Sequence, residues 1–73
     1  MAGPVEAELK ALYDEIRNSK MDKDQALIFL EKAVESMIRG LEGKEGRWGA
    51  SMAIGGYIKI MRSGGWKKLV EKE

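Results

Sequence analysis

The chain has 73 residues, with 13 lysines and arginines, 12 aspartates and glutamates, and neither cysteine nor histidine. A chain of this length forms one domain with a small interior, and its composition excludes disulfides, thiolate metal sites and histidine-based catalysis. The near-neutral charge argues against a strongly electrostatic protein such as a histone-like packer, and we expect a single domain over residues 1–73.

The first helix is predicted from Pro4 to about Asn18. Proline suits the first helical position because its missing N–H would have no partner there. Apolar residues follow at spacings of four, three and four, namely Val5, Leu9, Leu12 and Ile16. This spacing places them on one face of an amphipathic helix, with Tyr13 widening the face.

A second helix is predicted to begin near Asp22 or Asp24, either of which can cap it. One apolar stripe has heptad spacing and comprises Leu27, Leu30, Val34, Met37 and Leu41. A second stripe has small members and comprises Ala26, Phe29, Ala33, Ser36 and Gly40. Two adjoining stripes predict that this is the central helix of the bundle, with its aliphatic seam facing the first helix in a hairpin.

Four glycines recur at every third position from Gly40 to Gly49, and they predict a helix end, a loop and the start of the next helix. The third helix is predicted over residues 47–62 and is apolar nearly all round. Its small residues Gly49, Ala53 and Gly56 predict close packing, either against the small-residue stripe of the second helix or against another copy of the chain.

The alternative for residues 57–70 is a β-hairpin that turns through Ser63–Gly65. We favour helices because a lone hairpin needs a sheet to join, and no other segment has the pattern of a strand. A short fourth helix is then predicted over residues 66–72. The predicted fold is all-α, a bundle of three to four helices in which a helical hairpin is joined by an apolar third helix and a short C-terminal helix.

The sequence contains no convincing catalytic or metal-binding motif. Asp22 and Asp24 have the spacing that opens a calcium loop, but Leu27 and Ala33 occupy the positions that need glycine and glutamate. The serines have no histidine to activate them. We therefore expect no enzymatic activity, no catalytic residue, no metal, no cofactor and no small-molecule substrate.

The apolar third helix predicts a surface that needs a cover. Tryptophan, tyrosine and methionine are enriched at protein interfaces, and the residues expected to contact a partner are Trp48, Met52, Tyr57, Ile60, Met61 and Trp66. The expected function is a non-catalytic protein-interaction module. Its partner is expected to be a second copy of the chain, or a larger complex in which the chain is an accessory or inhibitory subunit.

The alternative function is a small nucleic-acid-binding regulator. Residues 45–73 carry six basic and three acidic side chains, and the candidate contacts are Arg47, Lys59, Arg62, Lys67 and Lys68. No targeting segment or membrane span is evident, so we expect a cytoplasmic protein without membrane contact. Lysine and glutamate enrichment with few labile residues is typical of thermophilic proteins.

Overall fold

The fold is described by a computed structural model for residues 3–71, which form four helices and no strand. The helices are α1 (Pro4–Arg17), α2 (Lys23–Glu42), α3 (Arg47–Ser63) and α4 (Trp66–Leu69). The predicted all-α bundle is confirmed, and the β-hairpin alternative is wrong because its two strands are helical. The fourth helix was predicted to reach residue 72 but ends at Leu69, because Val70 caps it and the next residue is not helical; residue 72 lies outside the described residues.

Local signals fix the boundaries of the first two helices. Pro4 begins α1, and the chain leaves α1 through a bend in which the Ser19 hydroxyl donates to the Ile16 carbonyl. Asp22, not Asp24, caps α2 by accepting the Gln25 N–H at 2.8 Å. The Gln25 side chain accepts the Asp22 N–H at 3.0 Å in return, which completes a capping box.

The glycine-rich segment contains the end of α2, a short loop and the start of α3, as the sequence predicts. Gly43 ends α2, and Gly46, at a φ of 54°, turns the chain into α3. A side chain would strain that backbone conformation, so glycine suits the position. Gly40 and Gly49, the outer two of the four regularly spaced glycines, lie inside α2 and α3, where the two backbones meet.

At this meeting point a Cβ added to Gly40 would lie 2.6 Å from the backbone nitrogen of Ala50. A Cβ added to Gly49 would lie 2.9 Å from the carbonyl oxygen of Gly40. The predicted close packing between the small residues of the second and third helices is thus confirmed within one chain. Gly56, the third member of the predicted stripe, lies outside this contact and has open space around it.

The central helix is α3, which packs against both α1 and α2, whereas α1 and α2 have little contact with each other. The prediction that α2 is central and that its aliphatic seam faces α1 is therefore wrong. The reason is that α2 reaches α3 through its small-residue stripe, where the backbones can approach. Three of the five heptad residues, Leu27, Val34 and Leu41, are then turned towards solvent.

The core contains residues from all four helices and is apolar throughout the described part of the chain. The buried residues are Val5, Leu12, Ile16, Phe29, Ala33, Ala50, Ile54, Ile58, Met61, Trp66 and Val70. Phe29 is fully buried and packs edge-on against Tyr57, with 5.4 Å between ring centroids. The Tyr57 hydroxyl lies 3.1 Å from the Ser36 hydroxyl, so the polar end of this ring has a hydrogen-bond partner.

Candidate protein-interaction surface

The six residues predicted to contact a partner do not form one surface. Trp48 and Met52 are 67% and 62% exposed and lie one turn apart on α3. Tyr57 and Ile60 are half-buried against the core. The structure therefore leaves two of the six fully available, and we call Trp48 and Met52 the α3 patch.

Met61 and Trp66 were predicted to face a partner but are only 6% and 8% exposed, because both pack in the core. Gly64, at a φ of 82°, ends α3 in the left-handed conformation. This turn directs α4 back onto the bundle, where Trp66 and Val70 are buried. The tryptophan at this position is an anchor of the fold.

The largest group of exposed apolar side chains lies on α2. Among residues 3–71, seven large apolar side chains are exposed, and four of them share one face of this helix: Leu27, Val34, Ile38 and Leu41. We call these four the α2 stripe. Leu30 and Met37, also members of the predicted heptad, lie beside the stripe and are partly buried.

Carboxylates border the α2 stripe along one edge. Asp24, Glu31, Glu35 and Glu42 follow at spacings of seven, four and seven, which places them within an arc of about 40° on the helix. All four are exposed, and no ion pair within residues 3–71 involves them. We call them the acidic row, and its centre lies about 70° around the helix from the centre of the stripe.

The sequence analysis found three of the four residues of the α2 stripe, all but Ile38, but assigned them to packing against the first helix. It did not predict that the acidic row borders an exposed apolar surface. The two adjoining apolar stripes of α2 were a signal in the sequence that one of them could stay exposed. A single neighbouring helix covers only one of two such stripes, so a small domain leaves the other exposed unless a third element crosses it.

The basic residues proposed for nucleic-acid contact are divided between ion pairs and free lysines. Arg47 donates to Glu6, and Arg62 donates to Glu15 at 3.0 Å. These pairs join α3 to α1. The three lysines of the predicted set, Lys59, Lys67 and Lys68, are exposed.

A shallow groove of about 590 Å³ lies between the end of α1 and the turn from α3 to α4. Lys20, Arg62 and Lys67 line it together with Glu15. The Lys67 ammonium also lies 6.0 Å from the centre of the Trp66 ring. Lys59 and Lys68 are not among its lining residues, so the predicted basic set is not gathered in one site.

The pKa of Glu6 is held below its usual value of 4.5, chiefly by the side-chain hydrogen bond from Arg47. Backbone hydrogen bonds within the first turn lower the pKa of Glu6 further. Both partners of this ion pair are 55% exposed, so solvent screens it and its contribution to stability is small.

Within residues 3–71, no three acidic, cysteine or histidine side chains come together in a group that could hold a metal ion. None of the helices in that range is long and apolar enough to cross a membrane. No polar or charged residue of the same range is buried, and no buried side-chain polar atom there lacks a hydrogen-bond partner. The distinctive surface feature of these residues is therefore the α2 stripe with its acidic row.

No known protein family matches the chain, and no curated protein or solved structure is significantly similar to it.

Proposed function

We propose that this chain is a non-catalytic protein-interaction module that docks its partner on the α2 stripe. The observation that carries the proposal is the exposure of Leu27, Val34, Ile38 and Leu41, at 66%, 38%, 46% and 41%, on one face of one helix. Single exposed apolar residues are ordinary on a protein surface and need no explanation, whereas contiguous apolar patches mark sites of association.

The size of the stripe sets the expected strength of the interaction. Full burial of a leucine, valine or isoleucine side chain contributes about 1.5–3 kcal/mol. Because these side chains are about half exposed, burying the remainder contributes on the order of 4 kcal/mol in total. Association costs at least about 4 kcal/mol in lost translational and rotational freedom. The stripe alone therefore supports weak binding, and a stable complex requires further contacts at its border.

The α3 patch is a secondary candidate for the same role. Trp48 and Met52 are residue types that are enriched at interfaces, and both are more than half exposed. The α3 patch has two exposed apolar side chains within one turn, whereas the α2 stripe has four along one helix face. We therefore place the main docking surface on α2 and not on α3, where the sequence analysis expected it.

The experiment that tests this function is site-specific photo-crosslinking in the cell from which the chain comes. A photoreactive amino acid replaces Val34 in one variant and Lys10, an exposed residue of α1, in a matched control. The proposal predicts a discrete adduct from position 34 that is absent from position 10. Equal labelling at both positions, or none at position 34, would contradict docking on α2.

Nucleic-acid binding is the alternative function, and the exposure of Lys59, Lys67 and Lys68 favours it. Two observations argue against nucleic-acid binding. Arg47 and Arg62 are engaged with carboxylates, and Trp66 is buried and cannot stack on a base. The alternative therefore rests on three lysines. The exposed tryptophan, Trp48, lies at the start of α3, whereas Lys67 and Lys68 follow its end, so the aromatic ring and these lysines are not neighbours along the helix.

A further inference from the structure

We propose that the occupant of the α2 stripe is a basic amphipathic helix of another protein. This inference rests on the proposed function and specifies its partner. Two features of α2 carry it together: the exposed apolar stripe and the acidic row along its edge. The stripe sets the shape of the occupant, and the row sets its charge.

The shape follows from the length and spacing of the stripe. Leu27 and Leu41 are fourteen positions apart, which is about 21 Å along the helix axis, or four turns. Spacings of seven, four and three are those of a helix that packs against another helix. The occupant that matches such a ridge is a helix of about four turns, with its own apolar residues at the same spacing.

The charge follows from the acidic row. Its four carboxylates are exposed, and none is in an ion pair within the described residues. The basic residues of α2 do not interrupt the edge between row and stripe, because Lys32 and Arg39 lie farther around the helix, beyond the row. Lysines or arginines flanking the apolar face of a docked helix would therefore meet unpaired carboxylates, which speeds association and fixes orientation.

A second copy of the chain fits this surface poorly. In a two-fold antiparallel pair of α2 helices, equivalent edges meet, so the acidic row of one copy faces the acidic row of the other. In a parallel pair, the acidic row faces the opposite edge of α2, where Lys23 is the single basic residue. Like charges along a helix pair destabilise it, and the second arrangement leaves most of the carboxylates unpaired.

The basic residues Lys67 and Lys68 of another copy do not remove this difficulty. They follow α3 and do not lie on the α2 face, so a contact between them and the acidic row joins two different surfaces. A pair of copies joined through this contact brings the α2 stripe against α4, whose exposed side chains, Lys67 and Lys68, are both charged, so the apolar stripe stays uncovered. A basic amphipathic helix covers the stripe with its apolar face and pairs with the acidic row in the same contact.

The test uses an eighteen-residue synthetic peptide of leucine and lysine, capped at both ends and labelled with fluorescein, with leucines at heptad spacing. One control peptide carries glutamate in place of lysine, and another has the same composition in scrambled order. Fluorescence anisotropy measures binding to the full chain. We expect the lysine peptide to bind at least tenfold more tightly than either control, and its affinity to fall as salt is raised.

Reversal of the acidic row tests where the peptide binds. The variant carries Glu31→Lys, Glu35→Lys and Glu42→Lys. We expect it to lose at least tenfold in affinity for the lysine peptide and to gain affinity for the glutamate peptide. Retention of the original preference would overturn the proposal, because the charge would then be recognised elsewhere.

The matched control reverses three exposed carboxylates outside α2 and changes the net charge by the same amount, through Asp14→Lys, Glu45→Lys and Glu71→Lys. We expect its affinity for the lysine peptide to stay within threefold of the unmodified chain. An equal loss in both triple variants would mean that only net charge is sensed, which would overturn the proposal.

Val34→Asp separates failure of the partner chemistry from failure of the proposed function. Suppose that the unmodified chain binds the lysine and glutamate peptides equally and that Val34→Asp removes binding of both. Then α2 docks helices but does not select a basic one, and this inference is wrong while the proposed function stands. Sedimentation that shows a dimer dissociated by Val34→Asp would replace the basic helix with a second copy. Binding unaffected by Val34→Asp would contradict docking on the stripe itself.

Discussion

Gly40 and Gly49 lie in direct backbone contact where α2 crosses α3. A Cβ on Gly40 would be 2.6 Å from the carbonyl carbon of Gly49, well inside van der Waals distance, and the neighbouring atoms are backbone that cannot rotate away. This contact turns the small-residue stripe of α2 inward. It is therefore the reason that the α2 stripe is left exposed.

Gly40→Ala is expected to destabilise the chain by about 2 kcal/mol or more, because the two helices must separate to admit the methyl group. Gly56→Ala is the matched control within α3, since a Cβ there meets no atom within 4 Å. We expect Gly56→Ala to stabilise the chain by about 0.5–1 kcal/mol through the higher helix propensity of alanine. Urea unfolding followed by circular dichroism measures both, and equal effects of the two substitutions would contradict the helix contact.

Two apolar residues of α2 two positions apart, Phe29 and Leu27, are expected to have opposite roles. Phe29 is fully buried and Leu27 is 66% exposed. Phe29→Ala is expected to cost about 3–5 kcal/mol of stability, because it leaves a cavity against Tyr57. Leu27→Ala is expected to change stability by no more than about 0.5 kcal/mol. Thermal unfolding of both variants checks this, and a large loss in Leu27→Ala would place the stripe in the core.

The ion pair between Glu6 and Arg47 predicts a pH dependence. The pKa of Glu6 is lowered in the folded chain, so the stabilisation is present above its unfolded value of 4.5 and is lost as the pH falls through the folded value. We expect Glu6→Gln to lower the free energy of unfolding slightly at neutral pH and to have no effect in strong acid. Unfolding curves at a series of pH values measure this difference.

Arg47→Gln supplies the control for that experiment. In an Arg47→Gln background, Glu6→Gln is expected to lose most of its pH-dependent effect, because the hydrogen bond that causes the pKa shift is already absent. A pH dependence that survives unchanged in this background would mean that the first turn of α1, and not Arg47, sets the behaviour of Glu6.

A gel-shift series separates the alternative function from the proposed one. Nucleic-acid binding through the basic C-terminal residues predicts a shift at low salt that weakens steeply as salt is raised. The shift should be lost in a variant with Lys67→Glu and Lys68→Glu. It should persist in a control with Lys10→Glu and Lys44→Glu, which reverses two exposed lysines elsewhere. No shift at low salt would exclude the alternative.

Local signals in the sequence predicted the helices well. Pro4 begins α1, and Asp22 was one of two candidates for the cap of α2. The packing of small residues between the second and third helices was also predicted, and Gly40 and Gly49 carry it. These features depend on neighbours in sequence or on residue size, which the sequence states directly.

The arrangement of the helices was not predictable in the same way. The two stripes of α2 have equivalent periodicity, and the choice between them depends on how closely α3 approaches, which Gly49 decides from another helix. The same non-local packing explains why the main exposed apolar surface lies on α2 and not on α3, where the sequence analysis expected it. The burial of Trp66 depends on the direction of the chain after Gly64, which composition and periodicity do not encode.

The central position of α3 has a consequence for the order of folding. The α2–α3 pair closes a connection of four residues, from Gly43 to Gly46, whereas α1 meets α3 across some forty residues, from Glu6 to Arg47. Shorter closure costs less chain entropy, so we expect α2 and α3 to pair first and α1 to join last. In native-state hydrogen exchange, α1 amides should then open at lower free energy than those of α3. Uniform protection would instead indicate one cooperative unit.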